Sequence, residues 1–259
     1  MKRRKEHRKV FEMIKNSDMV LEVVDGRLPT LSRVSTIEKI LKERGIPLLI
    51  VLNKCDLVPR HICEQTKMIF DREFPTVYIS ARYRQGTRIL RQKIIQFSRN
   101  QPETLLSIVG IPNTGKSSLL NILRGKHVVS TGQKPGITRH LQIIRISRKI
   151  LAYDTPGIIP FDHPEKELQA FMGAISIDNL EDPLATSFYF IERIKLNHTK
   201  GFIQHYAIPS LSLNNEEIIT HIAQKRGLVL RGGEPNLVEA AKVLMREFSA
   251  GFFPYWEEI

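Results

Sequence analysis

A chain of 259 residues, 42% apolar and 25% charged, without an 18-residue uncharged apolar run, is neither a membrane-spanning protein, a disordered tail nor a disulfide-stapled miniature. Its formal charge of +12 is unevenly spread: residues 1–161 carry 30 Lys/Arg against 13 Asp/Glu, whereas residues 162–259 carry 9 against 14. A basic excess confined to the first part points to a polyanionic partner, because Lys and Arg that neutralise phosphates release counterions; a merely solvated basic surface is the alternative.

The opening Met1–Lys9 is basic but leads into no apolar signal core. Apolar runs of strand character then follow at Met19–Val24, Ile46–Leu52, Thr76–Ile79, Thr104–Val109, Leu141–Ile146 and Ile150–Tyr153. Between them, Ile37–Glu43, Cys63–Phe70, Thr87–Phe97 and Ser117–Leu123 have helical spacing. That alternation predicts a parallel α/β sheet over residues 1–161. From residue 162 to 259 the pattern turns helical without clear strands. Asp182 before Pro183 reads as a helix start, Gly227 closes a helix that begins near Asn215, and Asn236 with Glu239 resembles a capping box. The helix it opens aligns Leu237, Ala241, Leu244 and Phe248 on one face, as a core or domain interface. Cys55 and Cys63 stand eight residues apart with no C-x-x-C spacing, which disfavours zinc and a disulfide framework and suggests a reducing, cytoplasmic setting.

Gly110-Ile-Pro-Asn-Thr-Gly-Lys-Ser117 fits the P-loop pattern G-x-x-x-x-G-K-S/T, with a strand run before it and a helical run after it. Glycines let backbone N–H groups approach phosphate oxygens, and the helix start adds the positive end of its dipole. Asn113, Thr114, Gly115, Lys116, Ser117 and Ser118 are therefore the expected phosphate-binding residues. Lys116 would neutralise the β- and γ-phosphates and the Ser117 hydroxyl would enter a magnesium shell. Asp154-Thr-Pro-Gly157 ends the last strand run about forty residues on, where a carboxylate can hold magnesium through water and a glycine lets the backbone turn toward a γ-phosphate.

Asn53-Lys-Cys-Asp56 closes the second strand run and resembles the guanine-specificity motif N-K-x-D. A carboxylate at Asp56 can accept from both the N1–H and the exocyclic amine of guanine, whereas adenine would leave it desolvated and unpaired, at a cost of about 1–3 kcal/mol or more. Lys54 would lay its stem on the base and Asn53 would brace the loop. Ser80-Ala-Arg82 matches the companion S-A-K/R motif, whose backbone N–H reads guanine O6.

The order of these motifs, NKCD, SAR, GIPNTGKS, PGIT and DTPG, inverts the usual one, in which the P-loop comes first. Together with Leu21-Glu-Val-Val-Asp-Gly-Arg-Leu-Pro29, similar to a D-A-R-x-P segment, it resembles the circularly permuted GTPases of the YlqF/RbgA-like ribosome-assembly family. The resemblance covers about residues 10–161 and only loosely the helical part. It implies an α/β fold, a permuted GTPase domain at 1–161 followed by a helical domain at 162–259, and GTP hydrolysis on precursors of the large ribosomal subunit with rRNA as a partner. It further implies magnesium held by Ser117, Thr138 and, through water, Asp154, with Lys116, Thr138 and Gly157 catalytic, and a potassium ion at Asn113. A monomer without membrane attachment is expected. In this order the loop after Gly157 leads straight into the second domain, so nucleotide state can be transmitted along the chain.

Two positions depart from the commoner patterns. Ile158 stands where Ras-like proteins carry a water-orienting glutamine, and the family likewise has a hydrophobic residue there. A Gly-His pair that family members often carry ahead of the first helix has no counterpart, His7 being displaced about one and a half helical turns. An RNA-binding module whose GTP is barely hydrolysed is the alternative function. A tRNA-modification GTPase lacks any accompanying folate, thiol or flavin site. Residues 80–101 hold Arg82, Arg84, Arg88, Arg91, Lys93 and Arg99 and no acidic residue, a candidate rRNA-facing surface or a solvated helix face.

Overall fold

Strand β1 (Met19–Asp25) sends alternate side chains into two separate cores, as the two-residue period of a strand requires. Met19, Leu21 and Val23 join Leu49, Val51, Val77, Leu106 and Ile108 on one side. Val20 and Val24 join Leu48, Ile50, Leu52 and Val109 on the other. The computed structural model describes residues 10–125, 143–154, 157–158 and 164–259. It divides into two compact units, Met1–Pro160 and Phe161–Glu258.

In the first unit β2 (Leu48–Asn53), β3 (Thr76–Tyr78), β4 (Thr104–Gly110), β5 (Ile143–Arg145) and β6 (Ile150–Tyr153) complete a sheet in the order β3-β2-β1-β4-β6-β5, and β7 (Gly157–Ile158) also pairs with β4. All neighbouring pairs are parallel except β5 with β6. A helix over residues 10–15 (α1), α2 (Ser35–Glu43) and α3 (Arg60–Phe70) cover one face through Val10, Ile14, Ile37, Leu41 and Phe70. Helices α4 (Thr87–Phe97) and α5 (Lys116–Arg124) cover the other through Leu90, Ile94, Leu119, Leu120 and Leu123. Each such fully buried leucine or isoleucine contributes about 1.5–3 kcal/mol. This three-layer sandwich is the α/β architecture expected from the alternating runs.

The last strands carry a break that matters below. Thr104 pairs with Ile150 and Leu106 with Ala152, but Val109 pairs with Gly157. The chain therefore takes two more residues than β4 does to pass from β6 to β7.

The second unit is helical: α6 (Lys166–Phe171), α7 (Pro183–Leu196), α8 (Lys200–Tyr206), α9 (Asn215–Lys225) and α10 (Leu237–Ala250). Asp182 caps α7 by accepting from the Ala185 N–H at 2.9 Å, with Pro183 at the first helical position. At Asn236 half of the expected capping box forms: its side chain accepts from the Glu239 N–H at 3.1 Å, while the Glu239 carboxylate pairs with Arg246 at 2.9 Å instead of turning back. The complete box stands at Asn214 and Glu217, at the head of α9. Phe171, Phe190 and Phe248 form the centre of the core, with ring centroids 4.6–5.3 Å apart. Among the described residues no helix is long and apolar enough to cross a membrane.

Candidate functional site

In an open parallel sheet, loops leave the carboxyl ends of the strands, and a crevice opens where the winding reverses. Here β1 is followed outward by β2 and β3 on one side and adjoins β4 on the other, so the reversal falls between β1 and β4. The segments singled out in the sequence all leave the carboxyl ends of these parallel strands. Asp25 ends β1, Asn53 ends β2 in register beside it, Ser80 follows β3, Gly110 ends β4 and Asp154 follows β6.

The loop from Gly110 to Gly115 joins β4 to α5 with Asn113 and Gly115 at φ +57° and +97°. Gly115 must be glycine for a second reason, since a Cβ there would lie 2.2 Å from Asn53 Nδ2. Thr114 is buried and its hydroxyl donates to the Ile111 carbonyl at 3.1 Å. Lys116 is 5% exposed and its Nζ donates to the same carbonyl at 2.5 Å. Burial, and then the positive charge of Lys54, push its pKa down to about 8, and an anion placed beside it would push it back up. Asn113, Ser117 and Ser118 are exposed at the mouth of the loop and the first turn of α5.

Asn53 ties this loop to the others. Its Nδ2 donates to the Thr114 carbonyl at 2.8 Å and its Oδ1 accepts from the Ala81 N–H at 2.9 Å. Lys54 follows in the left-handed region at φ +63°, its Nζ 2.8 Å from Asp25 Oδ2. Asp56 is half-buried and its carboxylate makes no hydrogen bond among the described residues. Ser80 is buried; its N–H donates to the Gln85 carbonyl at 3.1 Å and its hydroxyl accepts from the Tyr83 N–H at 3.2 Å, which curls 80–85 into a closed turn. Because Ala81 spends its N–H on Asn53, the next N–H of the motif is that of exposed Arg82.

Of the residues expected to hold magnesium, Ser117 and Asp154 lie among the described ones. Ser117 is the second residue of α5, whereas the Asp154 carboxylate pairs with Arg124 at the helix's other end, about 10 Å further along. The Arg124 guanidinium also donates to the Asp154 carbonyl at 3.3 Å. Gly157 and Ile158 pair with Val109 and Gly110, which brings the chain back beside the start of the phosphate loop. Thr138 and His7 lie outside the described residues. Among the described residues no group of three or more His, Cys, Asp or Glu could hold a metal ion.

Sequence reasoning misplaced one arginine and passed over three residues. Arg91, expected on an RNA-facing surface, is half-buried and donates to the Ile122 and Leu123 carbonyls at 2.6 and 3.1 Å, satisfying the free end of α5. Arg124 had no signal beyond its place in the last helical turn. Asp25 and Arg27 were noticed only as part of a resemblance, yet they form a buried ion pair at 2.9 Å directly under Lys54.

The family described as 50S ribosome-binding GTPase matches residues 106–214, which begin in β4 and include the phosphate loop but neither Asn53 nor Ser80. Among curated proteins, an uncharacterized GTP-binding protein of Methanocaldococcus jannaschii is 36% identical over 250 residues, covering 96% of this chain and 66% of that protein. Nucleolar GTP-binding protein 2 of Yarrowia lipolytica is 31% identical over 255 residues, covering 95% and 49%. The chain thus spans just under two thirds of the first relative and about half of the second. Among solved structures, GNP-bound YlqF from Thermotoga maritima aligns with a TM-score of 0.69 at 22% identity, covering 98% of both chains. Its GDP-bound form aligns at 0.71 and 19%, covering 96% of this chain and 98% of that one. At such identities the likeness is one of fold.

Proposed function

We propose that the chain is a circularly permuted GTP-binding protein that binds and hydrolyses GTP as a nucleotide switch in assembly of the large ribosomal subunit. The observation that carries the proposal is Asn53, whose one amide ties the loop fitted to guanine to the loop fitted to phosphate. A crevice with Asp56 at one side and Lys116 at the other suits a guanine nucleotide better than a bare phosphate.

In this reading Asp56 accepts from the two N–H groups of the guanine edge, Lys54 lays its stem along the ring, and the Arg82 N–H points to O6. The N–H groups of Asn113 to Ser118 surround the phosphates, and Lys116 sets its ammonium against the β- and γ-oxygens. Preorganised donors of this kind stabilise charge as it grows on the transferring group while water attacks in line. Magnesium, bound by Ser117, Thr138 and, through water, Asp154, would supply further positive charge there; Asp154 must first part from Arg124. Potassium at Asn113 would add a charge that other GTPases take from an arginine. With Ile158 in place of a glutamine, intrinsic turnover is slow, at or below the order of 10⁻⁴ s⁻¹ of an unassisted site, and the ribosomal particle acts as activator.

The partner surface is α4 with the turns that flank it on both sides. Arg82, Tyr83, Arg84, Arg88, Gln92 and Arg99 are exposed there, and the Arg82 guanidinium lies 5.5 Å from the Tyr83 ring centroid. The description of the matching family as ribosome-binding and the nucleolar name of the relatives support this direction. Multiple-turnover phosphate release from GTP, measured with and without purified large subunits, tests the proposal. Release accelerated tenfold or more by the particle supports it. GTP binding without release under either condition would leave an RNA-binding module that uses GTP as a ligand.

A further inference from the structure

The guanine-reading loop rests on a buried ionic platform that the hydrolysis scheme leaves unused. Asp25 and Arg27 are 5% and 3% exposed, at the carboxyl end of β1. The Asp25 carboxylate is saturated with donors. Oδ1 accepts from the Arg27 backbone N–H at 3.0 Å and its Nε at 3.1 Å; Oδ2 accepts from Arg27 Nη2 at 2.9 Å and Lys54 Nζ at 2.8 Å. Burial alone would raise the pKa of Asp25, but Arg27 and Lys54 outweigh it and hold the carboxyl well below the usual range, so the group is ionised throughout the working pH range.

Lys54 needs such an anchor. A non-glycine residue at φ +63° is strained, and a flexible four-carbon stem has many rotamers to lose. Burial pulls its pKa down, and the attraction of Asp25 opposes that. The backbone supplies a second tie from the same turn. The Gly26 N–H donates to the Asn53 carbonyl at 2.7 Å, and a Cβ on Gly26 would lie 2.9 Å from that oxygen and 3.1 Å from Cys55 Sγ. Nothing larger than glycine lets the turn lie this close under the loop.

We propose that Asp25, oriented by Arg27, is a positioning residue for nucleotide binding that acts through Lys54, fixing its ammonium so that its stem lies along the purine plane. The role rests on the guanine-nucleotide reading above. It also explains why the turn runs Asp-Gly-Arg: a carboxylate to hold the lysine, a glycine for close approach, and an arginine to satisfy what remains of the carboxylate. Asp25 does not touch the nucleotide, and the chemistry at the phosphates does not pass through it.

The test is a double-mutant cycle on the intact chain, with affinity for a fluorescent GDP as the readout and thermal unfolding measured alongside. Asp25→Asn should weaken binding roughly tenfold, and Lys54→Met should do likewise. If Asp25 works through Lys54, adding Asp25→Asn to Lys54→Met should cost less than about twofold more. A full further tenfold loss in that background would overturn the proposal, because the aspartate would then support the fold and not the lysine. Asp25→Glu should recover part of the affinity at unchanged unfolding temperature, and its failure to exceed Asp25→Asn at equal stability would also count against the role. Absence of guanine-nucleotide binding by the unaltered protein would overturn the guanine reading itself, an outcome distinct from wild-type binding with additive losses.

Discussion

Asn53 donates its side-chain amide to the Thr114 carbonyl at 2.8 Å across 61 residues of sequence. The same amide accepts from the Ala81 N–H at 2.9 Å, so three loops from three strands are held by one side chain. This geometry yields the first prediction. Asn53→Ala leaves a buried carbonyl and a buried N–H unpaired, which should lower stability by about 2–4 kcal/mol and GTP affinity by tenfold or more. Asn53→Asp keeps the acceptor for Ala81 but loses the donor, and should weaken binding while leaving the 80–85 turn in place. Urea unfolding and nucleotide titration check both; an unaffected affinity in Asn53→Ala would show that the loops are positioned without it.

Under the proposed reading base choice depends on Asp56, whose carboxylate forms no hydrogen bond among the described residues. Asp56→Asn should lower GTP affinity and admit xanthosine triphosphate, since an amide can donate to the carbonyl that replaces the guanine amine. Competition binding with the two nucleotides measures the switch, and unchanged GTP affinity would remove Asp56 from the site.

The proposed potassium site is tested at Asn113, exposed in the loop between β4 and α5 at φ +57°. Phosphate release should be faster in potassium than in sodium chloride at matched ionic strength, and Asn113→Ala should abolish the difference. Equal rates for the unaltered protein in the two salts would reduce Asn113 to a residue that shapes the loop.

The arginines on and flanking α4 divide into two kinds, and charge reversal should separate them. Arg84, Arg88 and Arg99 are exposed, so reversing them to Glu should weaken binding to ribosomal particles and flatten its dependence on salt, at little cost to stability. Arg91 holds two carbonyls at the end of α5, so Arg91→Ala should lower stability by about 1–2 kcal/mol and leave the salt slope alone. Sedimentation at graded salt together with thermal unfolding distinguishes the two effects. A triple reversal that leaves sedimentation untouched would move the contact off α4.

Glu22 sits in the middle of β1, fully buried, with one oxygen accepting from the Val34 N–H at 2.7 Å and the other unpaired. Burial first, and the neighbouring Glu38 second, push its carboxyl up to about 8. The folded state thus keeps a proton that the unfolded chain releases near pH 4.5. The stability this adds is full below that pH and is lost as pH rises toward 8. Glu22→Gln, neutral at every pH, should flatten this part of the profile. Urea titrations at pH 5 and pH 8 measure it, and identical slopes for the two proteins would mean that Glu22 is ionised in the fold.

The order of strands and helices in the first unit was legible in the sequence because it rests on local chemistry. β1, β2 and β4 are short, mostly apolar runs buried at every position, apolar positions in α4 and α5 recur every three to four residues, and Gly110, Gly115 and Lys116 stand at the spacing of the P-loop pattern. The Asn53–Asp56 run and the inverted motif order could be picked out for the same reason, since each rests on a few adjacent residues. Partner choice was not. Arg91 looks like any other arginine of α4 until α5 packs beside it and presents two unpaired carbonyls. Glu22 reads as one polar residue in an apolar run, and only the closure of a helix layer over β1 makes it a buried acid. The pairing of Asp154 with Arg124 and of Asp25 with Lys54 likewise joins residues about thirty positions apart. Local propensity ranks what a segment can become; which charged group meets which is settled when the strands align and water is expelled between them, and that depends on every other segment of the chain.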